Sequence, residues 1–369
     1  MSAPGSGVLP AGVARGRAHA LVEAIRLDLR GLSVLTEAAT GGYRVTAGLA
    51  ALAGARVVAV AGDSAYGTAD EAAAATRAFA RTLGVEGCIE VVGEKSPALL
   101  AGADVVTNSG HVRPIDRLSI AAMKATAVVP LMYETWERRP ADLDLAACAE
   151  KGIAVAGTDE EHPEVGILRY LGVMAAKLLL DHGVEIVGSR IALWSDNKFA
   201  GFIAPVLAGL GAEVLVAADD DVELPWADGV RRVCALADLP GALAGFADAD
   251  AVVLALTPGA PPMIGREGRA PVAAAALAAV APGAVVAQYW GDVERDAVAA
   301  AGLRAVPARE PRPKHMGVLP SELGLTPMLR LQAGGLKVGE LMARARLAGA
   351  TPEEAVSAAV AAGFGQRLA

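Results

Sequence analysis

Short apolar runs alternate along this chain with longer alanine-rich or amphipathic segments. Runs such as 56–61 and 251–256 have the length and β-branched content of buried strands, and segments such as 68–83 have the length of helices. Strands that alternate with helices indicate a parallel sheet covered on both faces. The pattern therefore predicts an α/β fold made of two doubly wound parallel-sheet domains with a cleft between them.

The two halves of the chain have the same strand and helix rhythm, and an apolar helix from Val165 to about His182 is expected to connect them. We assign residues 1–164, together with C-terminal helices in 320–369, to a substrate or catalytic domain. Residues 165–319 are assigned to a Rossmann-like dinucleotide-binding domain. The N-terminus is expected to be a loose tail over residues 1–14 followed by a helix over 15–30.

Residues 190–221 have the layout of the first βαβ unit of a dinucleotide-binding domain. A strand over Ile191–Trp194 precedes the polar loop Ser195–Lys198, and an apolar helix begins at Phe199. In such units the helix N-terminus faces the pyrophosphate, and an acid after the second strand binds the ribose. Asp219 stands where that acid is expected, which favours NAD over NADP.

The loop of this unit lacks the glycines that usually contact pyrophosphate. The pattern G-x-G-x-x-G would fall on Ser195, Asn197 and Ala200, and none of them is glycine. Asn tolerates positive φ, Ser is small, and Ala is an accepted third residue. Lys198 could meet a phosphate, whereas Asp196 places a negative charge beside it. NAD, NADP and no cofactor therefore all stay open.

From Asp104 onward the order of the segments resembles the D-isomer-specific 2-hydroxy acid dehydrogenase family, over roughly the last 265 residues. The resemblance implies an NAD(P)-dependent oxidoreductase that acts on a small 2-hydroxy, 2-oxo or amino acid in the inter-domain cleft. It places Phe199, Thr257 and Trp290 at the cofactor site. The resembling segments are DLDLAACAEKGIAVAGTDEEHPEVGILRYLGVMAAKLLL, GSRIALWSDNKFAGFIAPVLAGLGAEVLVAAD, DADAVVLALTPGAP, LAAVAPGAVVAQYWGDVERDAV, PAREPRP and LTPMLRLQAGG.

Two catalytic residues of the resembled family are missing. Trp290 stands before Gly291 where the family has a carboxylate-binding arginine, and Met328 stands where it has the acid/base histidine. Only Glu310 keeps the family's residue type, and neither Trp nor Met transfers protons at neutral pH. These departures favour an alternative: a non-redox enzyme of condensation or lyase type, or a ligand-binding protein, on a dehydrogenase scaffold.

Polar residues follow the predicted strands of the first domain, where doubly wound sheets place ligands. In the resembled family the loop equivalent to 108–111 presents backbone N–H groups to the substrate carboxylate, and Arg113 or Arg44 could replace the missing arginine. A surface or capping role is the alternative for each. The expected substrate-binding residues are Ser109, Gly110, Arg113, Tyr133 and Glu134.

Three residues are candidates for the acid/base chemistry, namely His111, Glu310 and His315. Either histidine could replace the missing one, with Glu310 as its partner. Gly334, Gly335 and Lys337 are expected either to line the cleft or to form a helix start with a surface lysine.

Composition limits the remaining classes of function. A net charge of -8 argues against a nucleic-acid partner, and no apolar run reaches membrane-spanning length. Three distant cysteines indicate reduced thiols, and no zinc or other metal motif is present in the sequence. We expect a cytoplasmic homodimer without a signal peptide, whose partner is a small-molecule substrate.

Overall fold

The structure is a computed structural model that describes residues 9–225, 227–259, 261–312 and 315–368. The chain forms two compact units. Unit 1 consists of Met1–Ile167 and Ser321–Ala369, and unit 2 consists of Leu168–Pro320.

The strands of the described residues are numbered in chain order. They are β1 (Ser33–Glu37), β2 (Arg56–Val60), β3 (Ile89–Val92), β4 (Val105–Val106), β5 (Val128–Pro130), β6 (Ala154–Thr158), β7 (Arg190–Ser195), β8 (Glu213–Ala217), β9 (Val230–Cys234), β10 (Ala251–Ala255), β11 (Ile264–Gly265), β12 (Val272–Ala273), β13 (Val285–Trp290), β14 (Arg304–Val306) and β15 (Gly365–Gln366).

The α-helices are numbered in the same way. They are α1 (Ala11–Ala24), α2 (Val45–Leu52), α3 (Ala69–Leu83), α4 (Pro97–Gly102), α5 (Arg117–Ala122), α6 (Leu145–Lys151), α7 (Leu171–Leu180), α8 (Phe199–Gly209), α9 (Leu239–Ala242), α10 (Ala274–Val280), α11 (Arg295–Ala300), α12 (Leu325–Leu347) and α13 (Pro352–Ala361).

Each unit is built on one main sheet, and the predicted α/β fold with parallel sheets is confirmed. In unit 1 the strand order is β15-β6-β5-β4-β1-β2-β3, and only β15 pairs antiparallel, with β6. In unit 2 the order is β14-β13-β10-β7-β8-β9, with every pair parallel. In both sheets the strand order reverses beside the first strand. Doubly wound sheets bind ligands at this switch point, outside the carboxyl ends of the strands.

Local sequence signals set several helix ends. Thr351 caps α13 by accepting a hydrogen bond from the backbone N–H of Glu354, and Pro352 occupies the first helical turn. Thr68 and Glu71 form the same reciprocal box at the start of α3. That helix ends at Gly84, whose φ of 79° is readily adopted only by glycine.

Other boundaries differ from the sequence prediction. The prediction of a loose tail over residues 1–14 is wrong for its last part, because α1 begins at Ala11, directly after Pro10. Residues 1–8 of that tail lie outside the described residues. The helix ends at Ala24 instead of continuing to residue 30, because Arg26 adopts a φ of 50°. The connecting helix, predicted from Val165, is shorter, since a turn at Gly166 and a 3-10 segment precede α7.

Helix α12 is the central helix of unit 1, and its glycines lie against the sheet. A Cβ on Gly335 would come within 2.6 Å of Met132 Sδ, and a Cβ on Gly339 within 2.8 Å of Val105 Cγ1. The expected helix start with a surface lysine at Gly334, Gly335 and Lys337 is therefore wrong, since all three are buried inside a helix. The ammonium of Lys337 is 2.9 Å from the Glu340 carboxylate, which compensates its charge.

None of the helices in the described part of the chain combines the length and the hydropathy needed to cross a membrane.

The contact between α7 and α8 gives a matched test of packing in unit 2. A Cβ on Gly172 would come within 2.5 Å of the Val206 side chain and 2.8 Å of the Phe202 carbonyl oxygen. We expect G172A to lower the free energy of unfolding by about 1–3 kcal/mol through overpacking. Gly209, at the end of α8, has open space, so G209A is expected to raise it by about 0.5–1 kcal/mol. Urea denaturation measures both, and a G172A variant as stable as wild type would contradict this packing.

Candidate functional site

A buried carboxyl group lies at the switch point of unit 1. Glu37 is the last residue of β1 and is only 7% exposed. The Ser109 hydroxyl hydrogen-bonds to its carboxyl, and Gly110 leaves room for it, since a Cβ there would come within 2.6 Å of Glu37 Cδ. Loss of hydration raises the pKa of Glu37 to about 7, although the positive charge of Arg113 and the Ser109 hydrogen bond oppose this shift.

Hydroxyl groups connect Glu37 to the interior of the sheet. Ser109 Oγ lies 2.8 Å from Thr107 Oγ1, which lies 2.9 Å from Thr36 Oγ1. All three hydroxyl-bearing residues are buried. The result is a fixed row of hydrogen bonds that orients the Ser109 hydroxyl next to the carboxyl.

A pair of arginines shares one carboxylate beside this group. Arg113 Nη1 and Arg139 Nε donate to the same oxygen of Asp142, at 2.8 and 3.0 Å. The Arg113 and Asp142 side chains are 25% and 18% exposed. Arg113 makes this contact through Nη1, and a guanidinium group has further N–H donors, which suit an anionic ligand group.

Asn108 has a buried polar atom that no described residue satisfies. Its Nδ2 donates to the Tyr133 hydroxyl at 2.6 Å, but its Oδ1 has no hydrogen-bond partner among the residues described, and Asn108 is only 1% exposed. If the amide were turned over, its N–H group would be the unsatisfied one instead. A buried polar atom of this kind is costly unless a ligand or water satisfies it.

Two further titratable groups of unit 1, Glu137 and Tyr43, have raised pKa values. Loss of hydration and the neighbouring Glu134 raise the pKa of Glu137 to about 7. Tyr43 has its pKa raised, first by loss of hydration and then by the charges of Glu37 and Glu137. Both Glu137 and Tyr43 are exposed, so water screens these effects, whereas Glu37 has little such access.

The remaining predicted residues of unit 1 lie around this cluster. Glu134 accepts hydrogen bonds from Trp136 Nε1 at 2.7 Å and Gln366 Nε2 at 2.8 Å, so its carboxylate fastens the loop to β15. His111 is half-buried against Gly62, where an added Cβ would meet its ring. Met328 is 1% exposed and packs on Gly42, as a core residue does.

In unit 2 the loop after β7 hydrogen-bonds mainly to itself and to β10. Ser195 Oγ donates to the Ala255 carbonyl oxygen at 2.9 Å. Asn197 Oδ1 accepts from Phe199 N, the first N–H of α8, at 2.9 Å. Asp196 accepts from Thr257 N at 2.9 and 3.1 Å through its two oxygens. These N–H groups are therefore occupied by side chains, and the residues present do not fit a pyrophosphate.

Other predicted cofactor residues lie near this loop. Ala200 is fully buried in α8, as the third position of the motif requires. Phe199 packs on Trp290 with ring centroids 5.2 Å apart, and Lys198 directly precedes the helix. Asp219 follows β8, but its Oδ1 already accepts from Leu236 N at 3.0 Å.

Glu310 and His315 line one cavity of about 300 Å³ in unit 2. Gln288, Asp292 and Arg312 line it as well. His111 lies in unit 1. No cluster of His, Cys, Asp and Glu that could hold a metal ion occurs in the part of the chain that the structure describes.

Comparison with known proteins extends the fold assignment. No family model and no curated protein matches the sequence. The A chain of dipicolinate synthase from Bacillus halodurans is similar in structure, with a TM-score of 0.50 and 12% identity over 86% of this chain and 99% of that one. Its counterpart from Bacillus subtilis has a TM-score of 0.50 and 12% identity over 88% and 98%.

D-lactate dehydrogenase with NAD+ from Lactobacillus jensenii is also similar, with a TM-score of 0.47 and 14% identity over 85% of this chain and 97% of that one. A dehydrogenase is thus among the solved structures to which this chain is similar. At such low identities the likeness concerns the fold alone, so the chemistry has to come from the residues described above.

The sequence placed Glu37 directly after the first predicted strand, where doubly wound sheets place ligands, but assigned it no role in binding or catalysis. Ser109, Gly110, Arg113 and Tyr133 were predicted and do surround the switch point, but Glu37 was not among them. Its signal was present, because an acid stands at the end of an apolar strand in a parallel sheet.

The raised pKa of Glu37 predicts a pH-dependent stability. The folded carboxyl has a pKa of about 7 against an ordinary 4.5, so the folded state binds the proton more tightly than the unfolded state. Stability should therefore fall as pH rises from about 4.5 to about 7, by on the order of 3 kcal/mol. E37Q cannot ionise and should lack this contribution, so it should be more stable than wild type at about pH 8 but not at about pH 4.

Urea denaturation at both pH values measures this effect. E23Q, which changes an exposed glutamate of α1, is the control and should follow wild type. An E37Q variant that keeps the wild-type pH dependence would show that another group causes it.

Proposed function

We propose that the protein is an enzyme that transfers protons on a small carboxylate-bearing substrate, with Glu37 as the general base. The observation that carries this proposal is the buried Glu37 carboxyl, whose pKa of about 7 matches neutral pH. A base with this pKa is half ionised at neutral pH and still strong enough to accept a proton from carbon or oxygen. Buried groups with perturbed pKa values at a switch point are frequent in active sites.

The neighbours of Glu37 support a substrate with an anionic group. Arg113 shares Asp142 with Arg139, and the further N–H donors of its guanidinium group suit a carboxylate. The unsatisfied polar atom of Asn108 suits a hydroxyl, amino or oxo group on the same substrate. A 2-hydroxy, 2-oxo or amino acid carries both features in a small molecule.

The reaction we propose is non-redox, of isomerisation, elimination or condensation type. Such reactions need a proton removed beside a carboxylate, and they need no hydride acceptor. The occupied N–H groups after β7 and β10 support this choice over dinucleotide-dependent chemistry. In this proposal unit 1 is the catalytic domain, and unit 2 keeps a dinucleotide-type fold without requiring the cofactor.

A redox enzyme is the second candidate function. It is favoured by the cavity that Glu310 and His315 share in unit 2, since this pair could pass a proton to and from a substrate oxygen. NAD or NADP would then supply the hydride acceptor or donor.

Hydrogen exchange at Cα tests the proposed function. Wild type is incubated in D2O with a panel of 2-hydroxy, 2-oxo and amino acids. NMR follows the loss of the Cα proton signal of the hydroxy and amino acids, and of the Cβ proton signal of the 2-oxo acids, whose Cα carries no proton. We expect exchange for at least one class, and E37Q should slow it by about 10²-fold or more, the usual contribution of a general base. E23Q should exchange like wild type.

Two results would contradict the proposed function. One is the absence of exchange across the panel. The other is oxidation of NADH or reduction of NAD+ by wild type with a panel member, which would support the redox candidate.

The pH profile gives an independent prediction. A general base acts in its ionised form, so the exchange rate should rise with pH and level off above a pKa of about 7, the value for Glu37. E37Q should lose this dependence together with its activity. A profile that falls as pH rises through neutrality would instead indicate a group that must be protonated.

A further inference from the structure

The loop after β7 lies where a doubly wound unit normally receives pyrophosphate. In phosphate-binding units the first N–H groups of the following helix point at the phosphate, because no backbone carbonyl is available to them. The loop after the fourth strand of the sheet lies next to this position at the switch point. In unit 2 these places correspond to the start of α8 and to the residues after β10.

The Asn197 side chain accepts the hydrogen bond of the first N–H group of α8. Its Oδ1 accepts from Phe199 N at 2.9 Å, and its Nδ2 donates to the Ala255 carbonyl oxygen at 3.1 Å. One side chain therefore occupies the first N–H group of α8 and also ties the loop to the end of β10. A phosphate oxygen would have to displace this amide to reach the same N–H group.

The Asp196 carboxylate accepts hydrogen bonds from the loop that follows β10. Its two oxygens lie 2.9 and 3.1 Å from Thr257 N, and Oδ1 lies 3.3 Å from Thr257 Oγ1. It also accepts from Asn197 Nδ2 at 2.6 Å, so the two side chains support each other. The carboxylate has the charge and acceptor oxygens of a phosphate, and it would repel a second anion placed beside it.

We infer that Asp196 and Asn197 form an intramolecular substitute for a phosphate, which closes a latent dinucleotide site in unit 2. The rest of the unit keeps the features of such a site. Ala200 is buried where close contact of helix and strand is needed, and Asp219 follows β8 at the ribose position. The loop side chains, and not the fold, exclude the cofactor.

Replacement of both side chains by glycine tests this inference. Glycine is tolerated in loops and allows the backbone to approach a phosphate, and Lys198 at the N-cap is unchanged, so D196G/N197G should fold and expose the N–H groups. The probe is NADH, and binding is followed by energy transfer from tryptophan to nicotinamide and by the shift in Tm. Wild type should show no saturable binding up to about 1 mM, and the double variant should bind at least about tenfold more tightly.

Two further variants distinguish the effect of the negative charge of Asp196 from the effect of its hydrogen bond to Thr257 N. D196N keeps a side chain on Thr257 but removes the charge, so it should bind NADH more tightly than wild type and more weakly than the double variant. D228G is the control, because it removes one negative charge from an exposed position just before β9. This position lies at the amino ends of the parallel strands, opposite the loop after β7, so D228G should not bind NADH. D196N preserves the loop, so it also serves if the double variant does not fold.

Two results would overturn the inference. Saturable binding of NADH by wild type with a dissociation constant below about 1 mM would show that the loop is not closed. Folded D196G/N197G and D196N variants that both fail to bind would show that no latent site exists. Cα-proton exchange is measured separately, so either result leaves the proposed function to its own test.

Discussion

The burial of α12 against the sheet of unit 1 is the constraint on which that unit depends. Gly335 and Gly339 bring the helix backbone onto the strands, so larger residues there would force the two apart. The buried ammonium of Lys337 is compensated by Glu340 and by the Arg26 carbonyl oxygen. Because α12 follows unit 2 in the chain, unit 1 is complete only after the chain returns to it.

The same packing shapes the site at the switch point. α12 and its partners fill one face of the sheet, and the carboxyl end of β1 is enclosed by the turn at Gly110. Glu37 is thereby deprived of water, which raises its pKa towards neutrality and costs stability once it ionises. A carboxyl that destabilises the fold at neutral pH is more readily explained by chemistry than by structure.

The two units share one sheet topology but carry different side chains at the switch point. Both reverse their strand order beside the first strand, so both present a crevice at the same edge of the sheet. In unit 1 this edge holds a buried carboxyl and an unsatisfied amide atom, whereas in unit 2 Asp196 and Asn197 satisfy the corresponding loop. The fold therefore determines where a ligand site can form, and a few side chains determine which chemistry that site can support.

The sequence by itself determined the α/β class, the position of most strands and helices, and caps such as Thr351, because these follow from local periodicity and from contacts three or four residues apart. It also placed Ser109, Arg113 and Tyr133 at strand ends. Only the tertiary structure decided that Glu37 is desolvated and that Asp196 binds Thr257, 61 residues away. Desolvation and long-range hydrogen bonds depend on which segments meet in space, and no local pattern carries that information.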